Sequence, residues 1–237
     1  MGTKIILGHI GVMMKSNEIP AMQALVSELG LAGVLCTADA MHCQIKTIEA
    51  VKAAGGAALL QVKGNQPSLE AAFEALAVGQ EPEDCHVEIG KIRRNRQEKR
   101  VVEVFRAHRI RELPDWQTHA VEAVRVTRTV LHKDVATGWK WRPTREVAWY
   151  VSTREGNSAA YYAAATRGHW GIENQVHYVL DVSMHEDASR VRKSPTILSI
   201  LRSFALNILR FNKVNDIADA LWRNAMNLNR VLAYGGT

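Results

Sequence analysis

His169, Glu173, His177 and Asp181 follow one another at intervals of four. Side chains spaced i, i+4 lie on one line of an α-helix, so residues 166–193 set imidazoles and carboxylates, groups that bind metal or carry protons, in a single row. Beside that row Ile172, Val176, Val179 and Leu180 recur at helical spacing and make an apolar face that turns the helix toward a core. A partly exposed polar face with ordinary capping and ion pairing has the same composition. Another acid, Asp39, closes the apolar run 31–38, which has the character of a strand buried on both faces. Ligands of open α/β sheets collect outside the carboxyl ends of strands, so Asp39 is placed to hold a ligand; capping a helix over residues 40–54 is the other use of an Asp there. A third group is basic: Arg93, Arg94, Arg96, Lys99, Arg100, Arg106, Arg109 and Arg111. Such a run neutralises phosphates, or forms a solvated edge that resists strand-to-strand aggregation.

Four stretches carry a further signal in their order: KSNEIPA at 15–21, VLCTADAMHCQ at 34–44, QVKGNQPSL at 61–69 and RGHWGIENQVHYVLDVSMHEDASRVR at 167–192. Together they resemble bacterial insertion-sequence transposases of the H-repeat-associated (ISAs) type, a branch of the DDE transposase superfamily, over nearly the whole chain. The resemblance implies an α/β fold with an RNase H-like catalytic core, an all-β insertion and C-terminal helices. It implies metal-dependent DNA cleavage and strand transfer, with two Mg²⁺ ions as cofactor. Asp39 is then the second catalytic, metal-binding carboxylate and Glu173 the third. The first belongs on an earlier strand, yet no Asp precedes Asp39, and Glu18 and Glu28 are the acids before it. The expectation is therefore an N-terminally truncated copy that lacks the first strands of the core and is inactive alone.

With DNA as the implied partner, Arg93, Arg94, Arg96 and Arg100 of the basic run are candidate DNA contacts, and Arg167, His169, Asn174 and His177 are candidates either for DNA contact or for neighbours of the metal ligands. Arg96, Glu98 and Arg100 match a Gly-Arg-x-Glu-x-Arg motif, with Asn95 in place of its Gly and Arg94 in place of the preceding His. The Tyr, Arg, Glu, Lys pattern of the wider superfamily is not kept: Thr166, His169 and Leu180 stand at its Tyr, Arg and Lys positions. Double-stranded DNA, as transposon ends and target, is the implied partner, with a homodimer on the DNA.

The elements that must position these groups are legible as periodicities. Residues 4–12, KIILGHIGV, read as a strand, expected to slide inward and pair with the strand at 31–38. Pro20 starts a helix that Gly30 ends, residues 57–63 form a second buried strand, and Pro67 opens a helix to about residue 77. This strand, helix, strand, helix rhythm belongs to a parallel sheet. From 85 to 152 alternation with turn signals at LPDW and ATGWKW describes β-strands. Trp139 and Trp141 there could stack on bases or pack across a hairpin. A helix capped by Asn157 or Ser158 then carries Glu173, another starts at Ser194 and Pro195 with Ile197, Leu201, Phe204 and Ile208 on one apolar line and Leu198, Ala205 and Leu209 on its neighbour, and a last one covers about 216–232. The domains follow as 1–80, a partial core with Asp39; 81–155, the β-rich insertion; and 156–237, the helical segment with Glu173.

Bulk properties agree with these assignments. At 237 residues the chain buries a core without needing disulfides. Thirty Lys and Arg against twenty-four Asp and Glu leave +6, which suits a polyanionic partner. Three cysteines, with no CxxC spacing, argue against zinc and disulfides and for the reducing cytoplasm. No segment has the length of a membrane span or the layout of a signal peptide. Two other functions compete: a different metal-dependent hydrolase built on His169, Glu173 and His177, which lacks the HExxH spacing, and a non-catalytic DNA-binding remnant of a transposase.

Overall fold

A computed structural model describes residues 4–10, 18–110, 113–136 and 138–235; Gly11, Val12, Lys15, Ser16, Asn17 and Arg111 of the motifs above lie outside them. The chain divides into two compact units, residues 16–169 and residues 1–15 with 170–237.

In the larger unit α1 (Glu18–Leu29) ends at Gly30, whose φ of 61° suits a residue without Cβ. Two parallel strands follow, β1 (Leu35–Ala38) and β2 (Ala57–Val62), joined through α2 (Ile45–Ala53). The connection is tight at Gly56, where a Cβ would stand 2.9 Å from that of Leu31. The single helix expected over 40–54 is broken: a 3-10 turn, Ala40–His42, precedes α2. β1 is also shorter than the apolar run, and Leu35 to Thr37 are half-buried rather than enclosed on both faces.

After α3 (Pro67–Gly79) the chain turns to antiparallel strands: β3 (Asp84–Ile89), β4 (Arg96–Arg106), β5 (Glu122–His132) and β6 (Arg142–Ser152), with a four-residue helix, α4 (Pro114–Gln117), where LPDW read as a turn. The β-rich block does not form a sheet of its own. β6 pairs with β2, giving one six-stranded sheet in the order β1-β2-β6-β5-β4-β3. Its residues alternate between two cores. Leu60, Trp149, Val151, Phe105 and Ala123 face a cluster with Ile48, Val51, Leu69 and Phe73. Leu59, Tyr150, Val124, Val126, Val102 and Val104 meet α5 (Ala159–Ile172) through Ala159, Tyr162 and Ala163. Burying one side chain such as Phe73 contributes about 1.5–3 kcal/mol.

The smaller unit corrects the reading of the N-terminus. Residues 4–10 are not a strand and do not pair with β1, whose partner among the described residues is β2. They lie along α6 (Pro195–Phe211): the Ile6 amide donates to Asn207 Oδ1 (2.9 Å), Asn207 Nδ2 donates to the Ile6 carbonyl (2.7 Å), and Arg210 donates to the Lys4 carbonyl. Asn207 offers this segment one donor and one acceptor, as a neighbouring strand would, and α6 has no backbone groups to spare for a ladder. The core of the unit is Leu180, Leu206, Leu209, Ile217 and Ala220. Of the two apolar lines of α6, Ile197, Leu201 and Phe204 are exposed, whereas Leu209 of the neighbouring line is buried. The last helix is two, α7 (Ile217–Met226), capped by Asp216, and α8 (Leu228–Leu232), capped by Asn227.

Candidate metal site and nucleic-acid surface

Strand alternation puts Thr37 and Asp39, two residues apart, on one side of the chain at the carboxyl end of β1. Asp39 is extended (φ −66°, ψ 165°) and makes no capping hydrogen bond through its side chain, so the cap reading of this residue fails. The loop after it is held from outside: Asn65 Nδ2 donates to the Ala40 carbonyl and Gln66 Nε2 to the Cys43 carbonyl (2.9 Å). That clamp gives the Asn and Gln of the QVKGNQPSL motif a physical task, one that spacing along the chain does not reveal. His42 lies in the same loop, where burial lowers its pKa against the opposing pull of Asp39 and Glu18.

α5 brings the third group. Its buried line runs through Ala159, Tyr162, Ala163 and Thr166, and the next position on that line is His169. His169 Nε2 stands 2.9 Å from Asp39 Oδ1 and its Nδ1 3.2 Å from Thr37 Oγ1. The Asp39 side chain is 62% exposed and that of His169 only 17%. A carboxylate accepts, so Nε2 donates to Asp39. Asp39 fits the needs of a hard divalent cation: it is an oxygen donor open to solvent at a strand end, and Oδ2 takes part in no hydrogen bond among the described residues.

Glu173 falls in the other unit, exposed, as the first residue of a π-helical stretch, Glu173–His177, that continues α5 and is followed by another, Val179–Ser183. Wider turns spoil the i, i+4 row of His169, Glu173, His177 and Asp181, because a π-helix closes i to i+5. Asn174 and His177 are exposed in the same stretch. Asp181 has its carboxyl pushed above the usual range, by desolvation and then by repulsion from Asp187 and Glu186, with His177 pulling the other way. Among the described residues no group of three His, Cys, Asp or Glu side chains is arranged to hold a metal ion.

The basic candidates separate into paired and unpaired groups. Arg100, its side chain 15% exposed, and Arg96 both face Glu98, which also binds Arg128; Arg167 pairs with Glu88. Arg93 and Arg94 belong to a tight turn in which Arg93 and Arg96 exchange two backbone hydrogen bonds of 2.9 Å, and Arg94 (φ 47°) and Asn95 (φ 58°) both adopt the left-handed conformation. This is a type I′ hairpin, which Asn serves in place of Gly. The loop between β5 and β6 lies beside it, for the Lys133 amide donates to the Asn95 carbonyl (3.1 Å). Lys133, just past the His132–Arg142 pair, lies over the ring of Trp141 on the facing arm (5.1 Å), so Trp141 packs across the hairpin, while Trp139 projects at 60% exposure. In sequence, the two tips and their flanks carry Lys91, Arg93, Arg94, Lys133, Lys140 and Arg142 with Asp134 as their acid.

Known proteins give this geometry its context. The chain is 32% identical over 223 residues to the protein YbfL of Escherichia coli K12, covering 89% of this chain and 56% of the relative. It is equally similar, with the same coverage, to YhhI of that strain, whose name describes an H repeat-associated candidate transposase. A candidate transposase of Escherichia coli O157:H7, YncI, is 32% identical over 87% of this chain and 53% of its own length. The chain thus spans about half the length of these relatives. No solved structure matches it. The family described as "Transposase DDE domain" matches residues 2–208, and to that family of transposases the chain belongs.

Proposed function

We propose that the chain serves the cleavage and strand transfer of DNA that move an insertion sequence, with Asp39 and Glu173 as two of the carboxylates that hold divalent cations. Family membership over residues 2–208 carries this reading. The core is RNase H-like, the β-rich residues 81–155 are its insertion, and the cations are Mg²⁺ by the hardness of their donors. When bound, such ions activate the attacking oxygen and stabilise the leaving one at a DNA phosphate. The chain's own part is to offer oxygen donors at a strand end and cations for the phosphate backbone. Two carboxylates leave a pair of divalent ions short of negative charge, so these 237 residues alone are expected to cleave feebly.

A second reading, DNA binding without cleavage, is favoured by the lack of a three-residue ligand group among the described residues. Both are tested by duplex binding at several salt concentrations together with Mg²⁺-dependent nicking of a supercoiled plasmid. Binding that weakens with salt is expected, with weak nicking that disappears in Asp39→Asn and in Glu173→Gln. Nicking that survives both substitutions overturns the site, and binding without any nicking leaves the second reading.

A further inference from the structure

We propose that His169 is a positioning residue for Asp39, with Thr37 fixing the orientation of its ring, so that Asp39 Oδ2 is the oxygen presented to a divalent cation; this rests on the metal-site reading above. The observation is a chain of two contacts closed by residues 132 and 130 positions apart: Thr37 Oγ1 to His169 Nδ1 at 3.2 Å, and His169 Nε2 to Asp39 Oδ1 at 2.9 Å. A neutral imidazole has one donor and one acceptor nitrogen, and the hydrogen bond at either nitrogen fixes the role of the other. Asp39 can only accept, which places the proton on Nε2. Nδ1 is then an acceptor, and the Thr37 hydroxyl donates to it. Thr37 and Asp39 leave the same side of β1, so one ring on α5 reaches both.

The arrangement restrains a side chain that is otherwise loose. Asp39 is more than half exposed and, among the described residues, receives no capping or other side-chain hydrogen bond besides this one. Carboxylate ligands held by an outer partner bind metal more tightly than free ones, because the orientation is set before the ion arrives. Thr37 adds a fixed ring orientation to that partner. Neither residue need touch the ion.

Mn²⁺ binding, followed by the paramagnetic resonance of the free ion, tests this on the intact chain, with Fe²⁺-directed backbone cleavage next to residue 39 as a second readout. His169→Ala is expected to weaken Mn²⁺ binding about 10- to 100-fold, the range for loss of an outer partner. Thr37→Val is expected to weaken it less. His169→Gln, whose amide can donate from near the Nε2 position, should stay closer to wild type than to the alanine variant. A purely structural histidine would lower the unfolding temperature without this order of affinities. Should His169→Ala fail to fold, Thr37→Val and His169→Gln carry the comparison. Binding lost in Asp39→Asn but unchanged in the His169 and Thr37 variants overturns the positioning role and leaves the metal site standing. Wild-type protein that does not bind Mn²⁺, or Asp39→Asn that binds it as well, overturns the metal site itself.

Discussion

A buried carboxylate ties the antiparallel strands to the start of α5. Glu122, at the head of β5, accepts hydrogen bonds from the Tyr162 hydroxyl and from the Gly156 amide (3.0 Å), and the same hydroxyl meets Ser152 Oγ (2.8 Å). Burial raises the Glu122 pKa, and the hydrogen bonds from Tyr162 and Gly156 only partly oppose it. A carboxyl whose pKa is raised on folding holds its proton more tightly in the folded state. Its contribution is therefore fully present below the ordinary carboxylate pKa and is lost as pH rises through the folded value. Relative to Glu122→Gln, which cannot titrate, wild type is expected to lose stability as pH climbs from acid to neutral, measured as urea unfolding free energy. A constant difference across that range would exclude the linkage. Glu122→Ala, which strands the Gly156 amide and leaves the Tyr162 hydroxyl to the Arg154 carbonyl and Ser152 Oγ, should cost about 1–3 kcal/mol at every pH. None of this could be read from local pattern, since Glu122 and Tyr162 are forty residues apart. Asp39 was legible because a strand's end is a local feature; His169 was named as a neighbour of the metal ligands, but its contact with Asp39 was not readable from any local pattern, because it depends on how α5 crosses β1.

At the scale of elements, boundaries marked by Gly, Pro and caps were legible: α1 stops at Gly30, α3 starts at Pro67 and α7 starts after Asp216. Breaks made by wider or tighter turns were not. The 3-10 turn after Asp39 and the π-helical stretch from Glu173 keep helical composition while changing the residue count per turn, which periodicity at 3.6 misreads. Both apolar lines of α6 were legible, but not which one the core covers: Leu209 is buried while Ile197, Leu201 and Phe204 are exposed, because periodicity does not say which face is covered. The β3–β4 turn yields a prediction of its own. Arg94 holds φ 47° with a side chain that disfavours it, a conformation costing an L-residue about 1–2 kcal/mol. Glycine removes that cost but adds about 0.4–1 kcal/mol of chain entropy. Arg94→Gly should thus stabilise by up to about 1 kcal/mol, read as a raised unfolding temperature. A fall in that temperature would mean that the arginine side chain contributes packing or charge the turn needs.

For the whole molecule, α/β character and the family were legible, but a single sheet was not, because β2 and β6 pair across some ninety residues and no local signal records the partner. Charge is the property that joins sequence to function at this scale. The net +6 is not spread evenly: Arg100, Arg125, Arg128 and Arg167 are committed to Glu98, Glu103, Glu146 and Glu88, whereas Arg93, Arg94 and Lys140 lie at exposed hairpin tips and form no ion pair among the described residues. A cation already neutralised by a carboxylate releases few counterions when a phosphate arrives, while a free one replaces them. Each duplex phosphate contact contributes about 0.9 to the slope of log affinity against log salt. Replacing Arg93, Arg94 and Lys140 by Ala should therefore flatten that slope by roughly 2–3 with the unfolding temperature little changed. Replacing Arg100 and Arg167 should leave the slope near its wild-type value and instead lower stability, since Glu98 and Glu88 lose partners. Duplex binding measured by fluorescence anisotropy between low and moderate salt separates the two sets. If the Arg100 and Arg167 variant flattens the slope and the hairpin-tip variant does not, DNA lies against the paired face of the sheet and its carboxylates must yield their arginines on binding.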